Sequence, residues 1–85
     1  MKGTDNIQLT VLSPAGTVLE MRVSKVSLPA SKGRFMVLYD HAPVITSLDE
    51  GELMYQTADC RMEKIGIRSG FAEVCDNVVT VCAEV

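Results

Sequence analysis

Tryptophan is absent from this 85-residue chain, and the aromatics number only four: Phe35, Tyr39, Tyr55 and Phe71. They are scattered, with no Lys/Arg-rich track between them, which argues against a stacking surface for single-stranded nucleic acid. Cations form no block. Eight Lys+Arg are interspersed with eleven Asp+Glu for a net charge of −3, so a basic face that neutralises phosphates is excluded. No long apolar run exists. The longest, Phe35 to Tyr39, falls far short of the roughly 20 residues that cross a bilayer as a helix. The start, Met1-Lys2-Gly3-Thr4-Asp5-Asn6, is not followed by the apolar stretch of a secretory signal. Cysteine is sparse and odd in number, at three, whereas a secreted disulfide scaffold of this size usually carries four or more. We read the thiols as reduced and the protein as facing the cytosol.

What is present points to strands. The hydrophobic fraction is 47% and the charged fraction 22%, ordinary for one globular domain, taken as residues 1–85. Eleven Val, four Ile and six Thr make about a quarter of the chain β-branched, and such residues fit pleated surfaces. Turn signals recur at short intervals: Ser13-Pro14-Ala15-Gly16, Pro29 to Gly33, Asp40 to Pro43, Asp49-Glu50-Gly51, Thr57-Ala58-Asp59, Ser69-Gly70 and Asp76-Asn77. That spacing predicts an all-β sandwich or barrel.

The strands can be phased. Ile7, Leu9 and Val11 alternate with polar residues, as do Leu19, Met21 and Val23. After Ser24 the phase slips, so that Val26 and Leu28 point inward; a bulge or a change of sheet would produce this. Phe35 to Leu38 is apolar throughout, which predicts a strand covered on both faces. A two-residue turn at Asp76-Asn77 would pair Cys75 with Val78 and Val74 with Val79. Ala72, Val74, Val79 and Val81 then face the core. Cys82 falls opposite Phe71, about 13 Å along from Cys75 and out of disulfide reach.

No catalytic constellation emerges. His41, the only histidine, is followed by Ala42-Pro43 in a turn, and its neighbour Asp40 is poorly placed to orient it as a base; a structural or interface role fits better. Cys60, Cys75 and Cys82 lack the paired spacing of a zinc site. Asp49, Glu50 and Glu52 read as a solvated turn rather than an acid–base pair. Ser69-Gly70 is not a phosphate cradle, and no Gly-x-Ser-x-Gly elbow exists. On residue chemistry alone the expectation is a small β-sandwich without catalytic residues, cofactor or metal, working by contact.

Three ordered stretches carry a resemblance: Ile7 to Pro14, the central LPASKGRFMVLYDHAPVITSLDEGEL from Leu28 to Leu53, and Ser69 to Val81. The central stretch resembles the epsilon subunit family of F-type ATP synthase, with its Ser-x-Gly-x-hydrophobic segment, Gly-His-Ala-Pro turn and Gly-Glu-hydrophobic turn. The last is similar to that family's Ser-Gly-Gly-Phe-x-Glu-Val followed by Asn-x-Val-Thr-Val. The resemblance implies a ten-stranded β-sandwich of two five-stranded sheets at the foot of the rotor's central stalk. It implies a non-catalytic subunit that couples proton-driven rotation of the c ring to gamma, peripheral to the cytoplasmic face of a bacterial inner membrane; the odd, widely spaced cysteines add the expectation that the isolated chain is a reduced monomer. By position, Ser13, His41 and Thr46 would face gamma, and Ser31, Lys32, Gly33 and Arg34 would face the c subunits.

The chain departs from the family in places. Lys32 and Arg34 stand where ring-facing acidic residues are common. Tyr39-Asp40 replaces a Pro-Gly, and Ser69-Gly70 a double glycine. The family's helical hairpin does not follow Val85, so hairpin-type inhibition of ATP hydrolysis is not expected from these residues. The competing readings are a free binding module, OB-like or carbohydrate-binding, and a small enzyme; the missing aromatic–cation track and the missing constellation count against them.

Overall fold

A computed structural model describes residues 6–85; the first five residues of the expected 1–85 domain, and most of the N-terminal stretch read above, lie outside it. Nine strands are present among the described residues: β1 (Ile7–Ser13), β2 (Gly16–Val23), β3 (Lys25–Ala30), β4 (Gly33–Val37), β5 (Val44–Leu48), β6 (Gly51–Gln56), β7 (Met62–Ile67), β8 (Ser69–Cys75) and β9 (Val78–Glu84). Hydrogen bonding follows the order β2-β1-β9-β8-β5-β3-β6-β7, with β4 on β3. The link between β5 and β3 is a single pair, Ala30 with Leu48. The path therefore curls into two layers: a five-stranded sheet, β2-β1-β9-β8-β5, and a four-stranded one, β4-β3-β6-β7. The expected sandwich is present. Among the described residues its second sheet holds four strands instead of five, and residues 38–43, the longest stretch between them, turn rather than pair: Asp40 sits at φ 63° and Pro43 has no N–H to give a ladder.

The inward rows match the phasing. Ile7, Leu9, Val11, Val79, Val81, Ala72 and Val74 of the first sheet meet Val26, Leu28, Val37, Leu53 and Ile67 of the second, all buried. The phase slip at Ser24 is where the chain leaves the first sheet for the second, since β2 pairs with β1 and β3 with β4 and β6. The β8–β9 hairpin has the expected register, with Cys75 opposite Val78 and Phe71 opposite Cys82. Asp76 and Asn77 both lie at positive φ, 52° and 63°, the mirror-image turn that matches strand twist.

One expectation is overturned. The run Phe35–Leu38 is not covered on both faces, because Met36 is 48% and Leu38 52% exposed. Among the described residues β4 is an edge strand, hydrogen-bonded only to β3. The strand covered on both faces is β3, buried from Val26 to Ala30. Its outward Ser27 is roofed by Arg34, whose Nη1 donates to Ser27 Oγ at 2.8 Å. Its Pro29 abuts Gly51, where a Cβ would stand 3.0 Å from the proline ring.

Candidate functional site

Six of the seven residues singled out from the sequence line one groove of about 590 Å³: Ser31, Lys32, Gly33 and Arg34 from the β3–β4 turn, and His41 and Thr46 from the β5 side. The groove forms because β3 leaves the edge of β5 after one pair. From there β3 turns through Ser31–Lys32 into β4, helped by Gly33 at φ 125°. The residues expected on two separate faces thus converge at one end of the sandwich.

Ser13 lies apart. Its Oγ donates to Gly16 O at 3.1 Å and accepts from Ala15 N–H at 3.2 Å, so it caps the β1–β2 turn. It borders another hollow, of about 490 Å³, with Leu12, Gly70, Phe71 and Cys82.

The His41 loop is held from outside. His41 N–H donates to Leu38 O at 3.1 Å, closing a turn whose Asp40 lies at positive φ. Asp40 N–H donates to Asn77 Oδ1 at 2.6 Å, and Asn77 Nδ2 returns a bond to Asp40 Oδ1 at 3.2 Å. The β8–β9 turn thereby fixes the loop that carries His41. Sequence reasoning missed this use of Asn77; its only signal was a polar residue in a two-residue hairpin turn.

His41 Nδ1 is 2.7 Å from Ala42 O; a carbonyl only accepts, so Nδ1 carries the hydrogen. The ring leans on Phe35, centroids 6.1 Å apart. The turn bonds of Asp40 run to Asn77, and the arrangement is an aromatic–imidazole wall rather than a base with an orienting partner.

The serines form a chain: Ser47 Oγ donates to Ser31 Oγ at 2.9 Å, and Ser31 Oγ donates to Asp49 Oδ1 at 2.9 Å. Arg34 Nη2 donates to Glu52 O at 2.6 Å, so its guanidinium lies across β3 and β6. Lys32 and Arg34 are exposed. The groove lining contains Lys32, Arg34 and His41 and no carboxylate, a local reversal of the chain's negative charge.

The remaining polar candidates are spread out. Glu52 pairs with Lys64 at 3.7 Å on the exposed surface, so the 49–52 carboxylates do not form a dyad. Among the described residues no three of His, Cys, Asp and Glu gather to hold a metal. The three thiols are free. Asp76 beside Cys75, with slight burial and Glu73, pushes that thiol above its usual range, which disfavours the nucleophilic thiolate. In the β6–β7 loop, Asp59 is held below the usual carboxylate range, chiefly by the Thr57 hydroxyl and further by Arg61.

Residues 6–85 match the ATP synthase delta/epsilon chain β-sandwich domain family. The chain is 42% identical over 84 residues to the ATP synthase epsilon chain of Desulfitobacterium hafniense, covering 99% of this chain and 61% of that one. It is 43% identical over 79 residues to that of Carboxydothermus hydrogenoformans, covering 93% and 58%. It therefore spans about three fifths of the length of these relatives. In structure it is similar to a chain of the Euglena gracilis mitochondrial ATP synthase OSCP/F1/c-ring assembly, with TM-score 0.88, 25% identity and coverage of 93% and 51%. A chain of the Tetrahymena thermophila mitochondrial ATP synthase central stalk and c-ring shares the fold, with TM-score 0.76 at 13% identity and coverage of 93% and 63%. With the match running from Asn6 to Val85 through every strand described above, this chain belongs to the ATP synthase delta/epsilon chain β-sandwich family.

Proposed function

We propose that the chain is a non-catalytic central-stalk subunit of an F-type ATP synthase, coupling rotation of the c ring to gamma during ATP synthesis. The observation that carries this reading is the match over residues 6–85 to the delta/epsilon sandwich domain. The Euglena and Tetrahymena neighbours belong to assemblies that include a c-ring. Ser13, His41 and Thr46 are assigned to the gamma contact, and Ser31, Lys32, Gly33 and Arg34 to the ring contact. The bacterial relatives support a place peripheral to the inner membrane, on its cytoplasmic face.

The test is reconstitution. Added to a motor depleted of its epsilon subunit, the chain should sediment with gamma and the ring and restore proton-driven ATP synthesis, leaving hydrolysis by the soluble catalytic sector largely uninhibited. Failure to associate with gamma and the ring would refute the assignment. Strong inhibition would show that the sandwich restrains hydrolysis by itself.

A further inference from the structure

Residues 38–43 join β4 to β5 with little burial to hold them. Leu38, Tyr39, Asp40, Ala42 and Pro43 are exposed and His41 is half-buried. A segment with so few buried contacts opens readily unless polar bonds fix it. Within the loop His41 N–H donates to Leu38 O, and the imidazole leans on Phe35 of β4. The tie to the first sheet is Asn77, 37 positions on from Asp40.

Asn77 serves three segments at once. Its backbone O accepts from Gln8 N–H at 3.0 Å, at the start of β1. Its side-chain Oδ1 accepts from Asp40 N–H at 2.6 Å, and its Nδ2 donates to Asp40 Oδ1 at 3.2 Å. Backbone and side chain therefore have separate duties: the carbonyl serves the sheet and the amide serves the loop. A change confined to the side chain can free the loop and leave the sheet paired.

The chemistry of the pair is selective. A primary amide carries an acceptor and a donor on one carbon, which suits a backbone N–H beside a carboxylate. A second carboxylate at this position could still accept from Asp40 N–H, but it would meet Asp40's own carboxylate with no hydrogen between them.

We infer that Asn77 is a positioning residue for partner binding: without touching the partner, its side-chain amide holds the His41 loop in the shape that binds. The inference rests on the assignment of His41 to the gamma contact. A protein whose competent form is only partly populated binds more weakly by that fraction, so opening this latch lowers affinity without removing a contact.

The test is a double-mutant cycle, each chain examined free by amide exchange and then titrated with purified gamma. Asn77→Asp should speed exchange of the Asp40 amide and weaken gamma binding roughly fivefold, as when the competent form falls to about a fifth. Asp40→Asn keeps an acceptor for the Asn77 amide and should shift either reading by less than about twofold. Combining the two changes sets an amide opposite a carboxylate again, with the charge moved across, and should recover both readings. Asn77→Gly keeps the turn's positive φ but has no side chain; it should weaken binding and should not be rescued by Asp40→Asn. Amide dispersion in β8 and β9 reports that the fold is kept.

Weaker binding that Asp40→Asn fails to rescue would make Asn77 a direct contact and overturn the inference. So would Asp40 exchange that Asn77→Asp leaves unchanged, or lost dispersion that the second change does not repair. Faster exchange with unaltered gamma affinity would overturn it and leave the rotor assignment standing. A chain that binds no gamma in any form would refute that assignment, and this inference with it.

Discussion

At the scale of single residues, the strongest constraint falls on Gly70. A Cβ there would stand 2.2 Å from Cys82 O and 2.7 Å from Ala83 Cα. Both are backbone atoms of the neighbouring strand and cannot step aside without breaking the ladder. Gly70→Ala is expected to destabilise the fold by about 3 kcal/mol or more, the upper end of overpacking, read as a lower urea midpoint. Gly66→Ala is the control. It has nothing within 4 Å of the added Cβ, so its midpoint should stay or rise slightly. The family's double glycine is thus only half required here, which explains how Ser69, exposed beside it, is accommodated.

Asp59 makes a second residue-scale test. Its carboxyl is held below its ordinary value by the Thr57 hydroxyl first, with Arg61 adding to it. A depressed carboxylate contributes stability that is present above its unfolded value and is lost as pH falls through the folded one. The β6–β7 loop should therefore loosen only below the ordinary Asp range, seen as faster exchange of the Arg61 amide, which donates to Thr57 Oγ1 at 3.2 Å. Asp59→Asn should remove that pH dependence. His41→Asn should leave the fold intact, because the Leu38 bond is made by the backbone. In the assembled motor it should cost under about 1 kcal/mol of gamma binding, measured by titration; unfolding would mean that the ring is a core element after all.

Among the elements, legibility in the sequence followed the pleat. Where one face was buried and the other wet, alternation identified both, as in β1 and in the β8–β9 hairpin, whose register rests on the Asp76-Asn77 turn. The Ser24 slip was legible for the same reason: a change of inward parity requires a change of sheet. Apolar content misled at Phe35–Leu38, because a side chain's hydrophobicity does not say whether a second layer covers it, and β4 has β3 on one side only. Burial of β3 was hidden because its outer cover comes from neighbouring strands, from the Arg34 side chain of β4 and from Gly51 of β6, and alternation within β3 does not show either. The groove was half legible. Its residues could be named from the resemblance, but not their convergence, which depends on where β3 quits β5.

Arg34 also separates two effects that the sequence would merge. Its guanidinium bonds Ser27 Oγ and Glu52 O, whereas Lys32 is free of ion pairs among the described residues. Arg34→Glu is expected to cost about 1–2 kcal/mol of fold stability through lost charged hydrogen bonds. Lys32→Glu should leave stability unchanged. If the β3–β4 turn faces the ring, Lys32→Glu alone should weaken ring association, most visibly at low salt where screening is least. A salt-independent result for Lys32→Glu, measured by co-sedimentation, would take the turn out of that interface.

For the whole molecule, the decisive connection joins the two ends of the described chain. β9 lies between β1 and β8, parallel to the first with Leu9 beside Val79 and Val11 beside Val81, and antiparallel to the second. Val79 and Val81 are fully buried. The first sheet therefore cannot close until the last strand arrives, and closing such a long loop is an entropic cost met before any contact across it forms. Folding should be slow for the chain's size, in the millisecond-to-second range of sheets built on non-local pairing. Stopping the chain after Asp76 removes the strand that β1 and β8 share and exposes Ile7, Leu9, Ala72 and Val74 at once. The shortened chain should show no cooperative thermal transition by circular dichroism. Removing Val85 alone should leave the midpoint almost unchanged, since that residue is 54% exposed and lies beyond β9. A cooperative melt from the chain lacking β9 would mean that the four-stranded sheet folds by itself, and that the sandwich is two units rather than one.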